Sequence, residues 1–389
     1  MGLKSTLRRG VRILDKIRVQ QFNKNGHIIF IAILLIAAIT VLIVGTFKIP
    51  PDKIILPFYV DRQKYPMYQP DVIEDFPTVA NGQPKIPHII HQTWNSQCVY
   101  EENIPYIQSF VNKNPDWEYY FWTDKSARNL VKERHIYLLS YWDNVRRGVQ
   151  RGDILRYVVL YEFGGVYADV DVENLRPLDR VTTKYSCIIP TEPLEHNVIR
   201  YRIPYLINNG IILCSPKHPF MKMLLDKLLD HSEDTNVLSA TGPLFVTRQY
   251  NIYNRVADGT FDHMTSDDKM ELTDHMIGTG AFRDDDDSAV YVPNTHFFTD
   301  RIDSGIGGLF NFKCKWFFLL SNFTKRACVE LEHKGLHRQP TFTYTVHHWH
   351  HSWALDYKRL YGLSYYVKKC TEISKIVPKV KIYQYRVTN

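Results

Sequence analysis

The sequence predicts an α/β domain, a sandwich built on a mostly parallel central sheet and preceded by a transmembrane helix. Three observations carry this. After residue 85, short apolar runs alternate with helix-period segments, the pattern of strands joined by crossover helices. The uncharged apolar run from Ile28 to Phe47 is 20 residues long. At about 1.5 Å per residue such a helix spans roughly 30 Å, one bilayer core. Between the two, Pro50, Pro51, Pro57, Pro66, Pro70, Pro77, Pro84 and Pro87 punctuate a stretch with no sustained apolar period, which favours an extended spacer.

From the N-terminus, residues 1–27 read as a basic tail with seven Lys/Arg (Lys4, Arg8, Arg9, Arg12, Lys16, Arg18, Lys24) against the single acid Asp15. Positive charge before the span places this tail in the cytoplasm. The run at 28–47 is long for a signal-peptide core and lacks a small-residue cleavage site, so it is expected to be retained as an anchor. The opening Met1-Gly2-Leu3-Lys4-Ser5-Thr6 also fits the loose myristoylation pattern, which adds little beside a spanning helix. Beyond residue 27 the chain holds 41 bases and 40 acids, so +6 of the net charge of +7 lies in the tail, and nucleic acid is not expected as a partner. All six cysteines and the sequon Asn322-Phe323-Thr324 fall on the far side of the span, where disulfides and glycans belong. Cys314 and Cys328 would close a short loop; the remaining connectivity is open.

Residues 48–84 form the spacer. The folded region follows with the strands Ile86–Trp94 and Trp117–Asp124, helices near 125–132 and 150–163, a strand running through Val166–Val172, another at Leu206–Cys214 and a helix from Pro219. There is no internal repeat. The acidic run Asp284–Asp287 reads as a solvated loop, with cation binding as its alternative.

Chemistry concentrates in RGDILRYVVLYEFGGVYADVDV. Asp153 and Arg156 are three apart and share a helix face, the double glycine Gly164-Gly165 stops the helix, and a strand then runs into Asp169 and Asp171. Strand period two puts these two carboxylates on one side, with Ala168 and Val170 on the other. Carboxylates are rarely left uncompensated in a buried strand, and a hard cation holding a diphosphate would supply the missing charge. The acid pair also begins the aspartate-nucleophile phosphatase motif. That motif opens its domain on the first strand, whereas this pair comes after two strands and two helices.

Taken together, Asp153-Ile-Leu-Arg156, the double glycine and Asp169-Val-Asp171 resemble the DXD sugar-binding region of a glycosyltransferase family of GT-A fold. That family includes fungal initiating α-1,6-mannosyltransferases and inositol-phosphoceramide mannosyltransferases, and its core is shared with bacterial glucosylating toxins. IPHIIHQTW, FWTD, NNGIILCSPKHPF and HHWHHSW resemble it as well, so the likeness spans about residues 85–355. It implies a GT-A type nucleotide-sugar-binding domain over 85–360, with 361–389 as a C-terminal tail. It further implies Mn2+ or Mg2+ as cofactor, with Asp169 reaching metal and ribose and Asp171 binding the metal. Asp153 and Arg156 would hold the hydroxyls of the donor sugar, or else form a structural ion pair. Trp94 is suited to stacking on a nucleobase, or to an ordinary core position. Asp124 would accept from base or ribose, or cap the helix after it.

The late segment packs His347, His348, His350 and His351 into five residues. Adjacent histidines point apart on a regular element, which argues against a zinc cluster. The resemblance implies one late histidine on the metal, with His347 favoured and His348 as runner-up, and Ser352 and Trp353 covering the diphosphate. Fungal relatives usually show small residues where His350 and His351 stand, which leaves acceptor preference open. Asn209, in Asn208-Asn209-Gly210, would face the acceptor or form a plain turn. Gly242, in Thr241-Gly242-Pro243, would line the pocket or start a helix.

The expected protein is a type II membrane protein of the Golgi or endoplasmic reticulum with a lumenal catalytic domain. It would transfer a hexose with retention, mannose from GDP-mannose favoured, to a glycan or glycolipid such as inositol phosphoceramide. UDP-galactose or UDP-N-acetylglucosamine as donor, or an inactive lectin-like protein, are the alternatives.

Overall fold

The structure, a computed structural model, describes residues 56, 64, 72–255, 286–303, 307–335, 341–350 and 369–383. The basic tail, the apolar run 28–47, Asp284, Asp285, His351, Ser352 and Trp353 lie outside the described residues. No helix among the described residues is long and apolar enough to cross a membrane.

The central sheet has five strands in the order β3 (Glu118–Trp122), β1 (Ile89–Thr93), β4 (Gly165–Ala168), β7 (Ile211–Cys214), β6 (Cys187–Ile188). β1 pairs in parallel with β3 and β4, and β7 runs antiparallel to β4 and β6, so β7 alone is reversed. The sheet is thus mixed and mostly parallel, as the alternation of elements predicts. Alternate residues feed two cores: Tyr167, Ile212 and Cys214 face one, and Val166, Ala168, Ile211 and Leu213 face the other. Two small antiparallel sheets flank it, β2 (Cys98–Tyr100) with β9 (Cys370–Glu372) and β5 (Val172–Asn174) with β8 (Thr345–His347).

Helix α1 (Ile104–Lys113) buries Ile107 and Phe110 in the second core. α2 (Asp124–Arg134) is capped by Thr123, whose hydroxyl accepts from the Ser126 N–H while Ser126 Oγ accepts from the Thr123 N–H. Asp124 is therefore the first helical residue and not the cap. In α3 (Gly148–Phe163) every residue from Asp153 to Leu160 is buried. It ends at Gly164, whose φ of +66° with ψ of −165° is a glycine conformation, and a Cβ there would lie 2.6 Å from Pro216. Gly165 at φ +100° lets β4 pass beside β1, where a Cβ would come within 2.4 Å of the Ile89 carbonyl oxygen. α4 (Pro219–Lys227) packs on α3 and α5 (Pro243–Tyr253) on α4, and α6 (Gly307–Lys315) and α7 (Asn322–Lys334) form a third core with Leu194, Val198 and Ile199.

Two strand expectations are corrected. The strand expected through Val172 stops at Ala168: the Asp169 N–H still reaches the Gly210 carbonyl across from β7 (2.8 Å), but a turn then closes from the Val172 N–H to the Asp169 carbonyl (3.0 Å). The strand expected from Leu206 begins only at Ile211. Part of the proline-rich spacer is packed: Phe76 is fully buried, edge-on to Tyr185, Tyr291, Phe297, Phe298 and Tyr344. The late residues 370–383, expected as tail, supply β9 and the backbone bridge of Lys381 to Tyr120. Disulfides join Cys314 to Cys328, as the spacing suggests, and also Cys98 to Cys370 and Cys187 to Cys214.

Candidate active site

The site forms where β4 ends. Asp169 and Asp171 flank a tight turn, and β5, directly after it, pairs with β8 so that Val172 lies opposite His347. This register brings the late histidine segment to the acid pair. Ligand-capable atoms of Asp169, Asp171 and His347 all lie within 4.8 Å of one another. His347 Nε2 is 3.3 Å from Asp171 Oδ1, and Asp171 Oδ2 accepts from the backbone N–H of His350 at 2.9 Å.

Each carboxylate has its own environment. Asp169 Oδ1 accepts from Arg156 Nη2 (3.1 Å) and the Tyr167 hydroxyl (2.9 Å), and 29% of its side chain stays accessible. Burial, helped by the Asp171 charge, pushes Asp169 above the usual carboxylate range against the pull of Arg156. For Asp171, burial also works upward, but the charge and hydrogen bond of His347 and the His350 N–H outweigh it and hold the carboxyl well below its ordinary value. His347 is raised in turn, since Asp171 more than offsets its burial.

Behind this pair, α3 delivers Asp153 and Arg156. Asp153 Oδ1 accepts from Asn209 Nδ2 (2.9 Å) and lies 3.2 Å from Arg156 Nη2, and Oδ2 accepts from the Thr241 hydroxyl (2.7 Å). Burial raises its pKa despite Arg156. Arg156 also donates to the Asn209 carbonyl and lies over the Tyr167 ring, 4.7 Å from its centroid. The Asn209 side chain is thus engaged with Asp153 and, at 3.1 Å, with the Tyr157 hydroxyl. Gly242 is the N-cap residue of α5, and its neighbour Thr241 is the group that reaches the site.

Trp94 is half-buried at the end of β1, edge-on to Tyr100, and Asp124 pairs with Arg151 at 3.3 Å. His348 does not join the cluster: it faces Glu173 (2.8 Å) and Arg301 (3.1 Å) and stacks on Tyr106. Of the two candidate histidines, His347 is the one that lies beside the acid pair. Trp349 was not singled out from the sequence. Its backbone is left-handed at φ +54°, uncommon for a bulky residue, and its ring stacks on His347 at 4.1 Å. Gly210 was also missed. A Cβ there would meet Asp169 Oδ2 at 3.1 Å and His347 Cε1 at 3.2 Å, so this glycine keeps the space between the ligand candidates clear. The Asn-Asn-Gly turn was the available signal.

The residues fit a divalent cation. Two carboxylates and an imidazole are a hard-to-borderline donor set, His347 Nδ1 is buried with no hydrogen-bond partner among the described residues, and Gly210 leaves room beside them.

Residues 101–188 match the family described as "Glycosyltransferase sugar-binding region containing DXD motif", as the sequence resemblance predicts. Inositol phosphoceramide mannosyltransferase 2 of Schizosaccharomyces pombe is 31% identical over 180 residues, 45% of this chain and 49% of the relative. The initiation-specific alpha-1,6-mannosyltransferase of Candida albicans is 31% identical over 110 residues, 26% of this chain and 29% of the relative. The chain thus spans about half the length or less of these curated relatives. Among solved structures, PaToxG glycosyltransferase aligns over 50% of this chain and 78% of its own with 19% identity and a TM-score of 0.34.

Proposed function

We propose that this chain, with a DXD sugar-binding region at residues 101–188, is a metal-dependent hexosyltransferase of GT-A type. It moves mannose from GDP-mannose, with retention, to a glycolipid such as inositol phosphoceramide, or to another glycan. The observation that carries this is the convergence of Asp169, Asp171 and His347 within 4.8 Å, beside the buried Asp153–Arg156 pair. The first of the relatives above, named as an inositol phosphoceramide mannosyltransferase, supports the choice of sugar and acceptor. The apolar run 28–47 and its basic flank support a type II anchor in the Golgi or endoplasmic reticulum membrane, with the domain in the lumen.

Asp169, Asp171 and His347 would hold Mn2+ or Mg2+, which supplies positive charge against the departing diphosphate. Arg156 fixes the Asp169 carboxylate through Nη2, and Trp349 fixes the plane of the His347 ring by stacking. Asp153, held from three sides by Asn209, Thr241 and Arg156, is a preorganised acceptor for donor-sugar hydroxyls. Ser352 and Trp353 are assigned to the diphosphate on the sequence resemblance alone.

The test is hydrolysis of a panel of nucleotide sugars with and without Mn2+, in wild type and Asp171→Asn. GDP-mannose turnover that needs Mn2+ and is lost in a folded Asp171→Asn variant is expected. Undiminished Mn2+-dependent turnover in that variant would remove the metal assignment, and turnover of a UDP sugar alone would replace the donor.

A further inference from the structure

The third core carries an exposed apolar surface. After α6, the chain runs Trp316-Phe317-Phe318-Leu319-Leu320. Phe317 is buried and anchors the loop, while Trp316, Phe318 and Leu319 are 50%, 58% and 71% exposed. Trp316 and Phe318 lie side by side, their ring centroids 6.2 Å apart, so the apolar surface is contiguous. From Ser304 to Val329 the sequence has no Asp or Glu, and it carries Lys313, Lys315 and Lys325. Lys325 lies over the Phe317 ring, and Lys313, which donates to the Ile199 carbonyl at 2.5 Å, feels the charges of Arg200 and Arg202. Exposed aromatic and aliphatic side chains in a stretch that holds lysines and no acid suit the boundary between acyl chains and headgroups.

Position in the chain points the same way. Leu56 is buried in this same third core. Only eight residues lie between it and Phe47, the last residue of the apolar run, and the nine steps at 3.3–3.6 Å each reach at most about 32 Å. Any bilayer that holds residues 28–47 therefore lies within that reach of the lobe that carries the exposed loop.

We infer that the Trp316–Leu320 loop is a second membrane contact, which seats the α6–α7 lobe on the lipid surface from which the chain emerges. The inference rests on the proposed anchor but not on the proposed chemistry. It would turn the domain toward acceptors embedded in the same leaflet.

The full chain is reconstituted in vesicles of phosphatidylcholine with a minority of phosphatidylserine, with plain or brominated acyl chains. Brominated chains are expected to quench part of the tryptophan emission. That part should vanish in Trp316→Phe and shrink at least twofold in Phe318→Ser/Leu319→Ser. Equal emission in both vesicle types would overturn the contact. So would a Trp316 shielded from soluble acrylamide yet insensitive to bromine, which would assign the patch to a second copy or another protein. Asn322 is exposed three residues beyond Leu319, so a glycan there could hold the loop away. Quenching seen only in Asn322→Gln would overturn the inference for the glycosylated protein. Alkaline carbonate extraction reads the anchor independently, and the quenching is scored whichever way that result falls; a failed donor assay leaves it untouched.

Discussion

Gly210 contributes no side chain, yet its missing Cβ leaves the space between Asp169 and His347 open. Gly210→Ala places a methyl group 3.1–3.2 Å from both, and its backbone φ is unexceptional, so the fold should tolerate it. Mn2+ affinity, measured by titration calorimetry, is expected to fall on the order of tenfold with little change in the unfolding midpoint. Unchanged affinity would show that the ion sits elsewhere. A second residue-scale prediction concerns His91, wholly buried in β1, which donates from Nε2 to the Gly164 carbonyl (2.9 Å) and accepts at Nδ1 from the Trp122 indole (3.1 Å). The bond from Trp122 needs Nδ1 unprotonated, and burial pushes the ring's pKa down to about 4. The unfolded chain therefore binds a proton that the folded chain refuses between about pH 6.5 and 4, and stability is lost as pH falls through that window, by about 3 kcal/mol. Denaturant unfolding at a series of pH values should show this slope, and His91→Gln should flatten part of it. An unaltered slope would remove His91 from the account; His218, also pushed down to about 4 by burial, adds to the same window.

Among the elements, the segment before β1 holds more of the fold than its prolines suggest. Phe76 fills a box of five aromatic rings, and next to it Asp75 takes both Arg176 guanidinium nitrogens (2.6 and 3.0 Å) and the Tyr344 hydroxyl (2.8 Å). Phe76→Ala is expected to destabilise by about 3–5 kcal/mol, the usual range for emptying a buried aromatic site. A loss below about 1 kcal/mol in urea unfolding would mean the segment is merely laid on the surface. This packing was illegible in the sequence, since proline density speaks to local conformation and not to whether a distant pocket exists. The same division runs through the site. The α3 helix, its glycine stop and the acid pair were legible because each depends on neighbours within a few residues. The end of β4 at Ala168 was not, because the turn after it carries no glycine or proline, and neither was the β5–β8 register that sets His347, the favoured histidine, beside the acid pair.

For the whole molecule, the same contrast appears in the disulfides. Cys314–Cys328 closes 14 residues and could be read from spacing, whereas Cys98–Cys370 closes 272 and could not. Cross-linking so distant a pair restricts the unfolded chain strongly. Replacing both cysteines with serine is expected to lower stability by about 2–5 kcal/mol in denaturant unfolding. A smaller change would indicate that β2 and β9 stay paired without the link. This pairing also bears on how the protein is made. The Lys381 N–H donates to the Tyr119 carbonyl and its own carbonyl accepts from the Phe121 N–H, so late residues cover the outer edge of β3. During vectorial synthesis that edge is left bare until nearly the whole domain has been translated, and a bare strand edge recruits other chains. A ribosome stalled or a message truncated before residue 370 would therefore release a nearly complete domain with an adhesive rim, a substrate for chaperones or for aggregation rather than a slightly shortened enzyme.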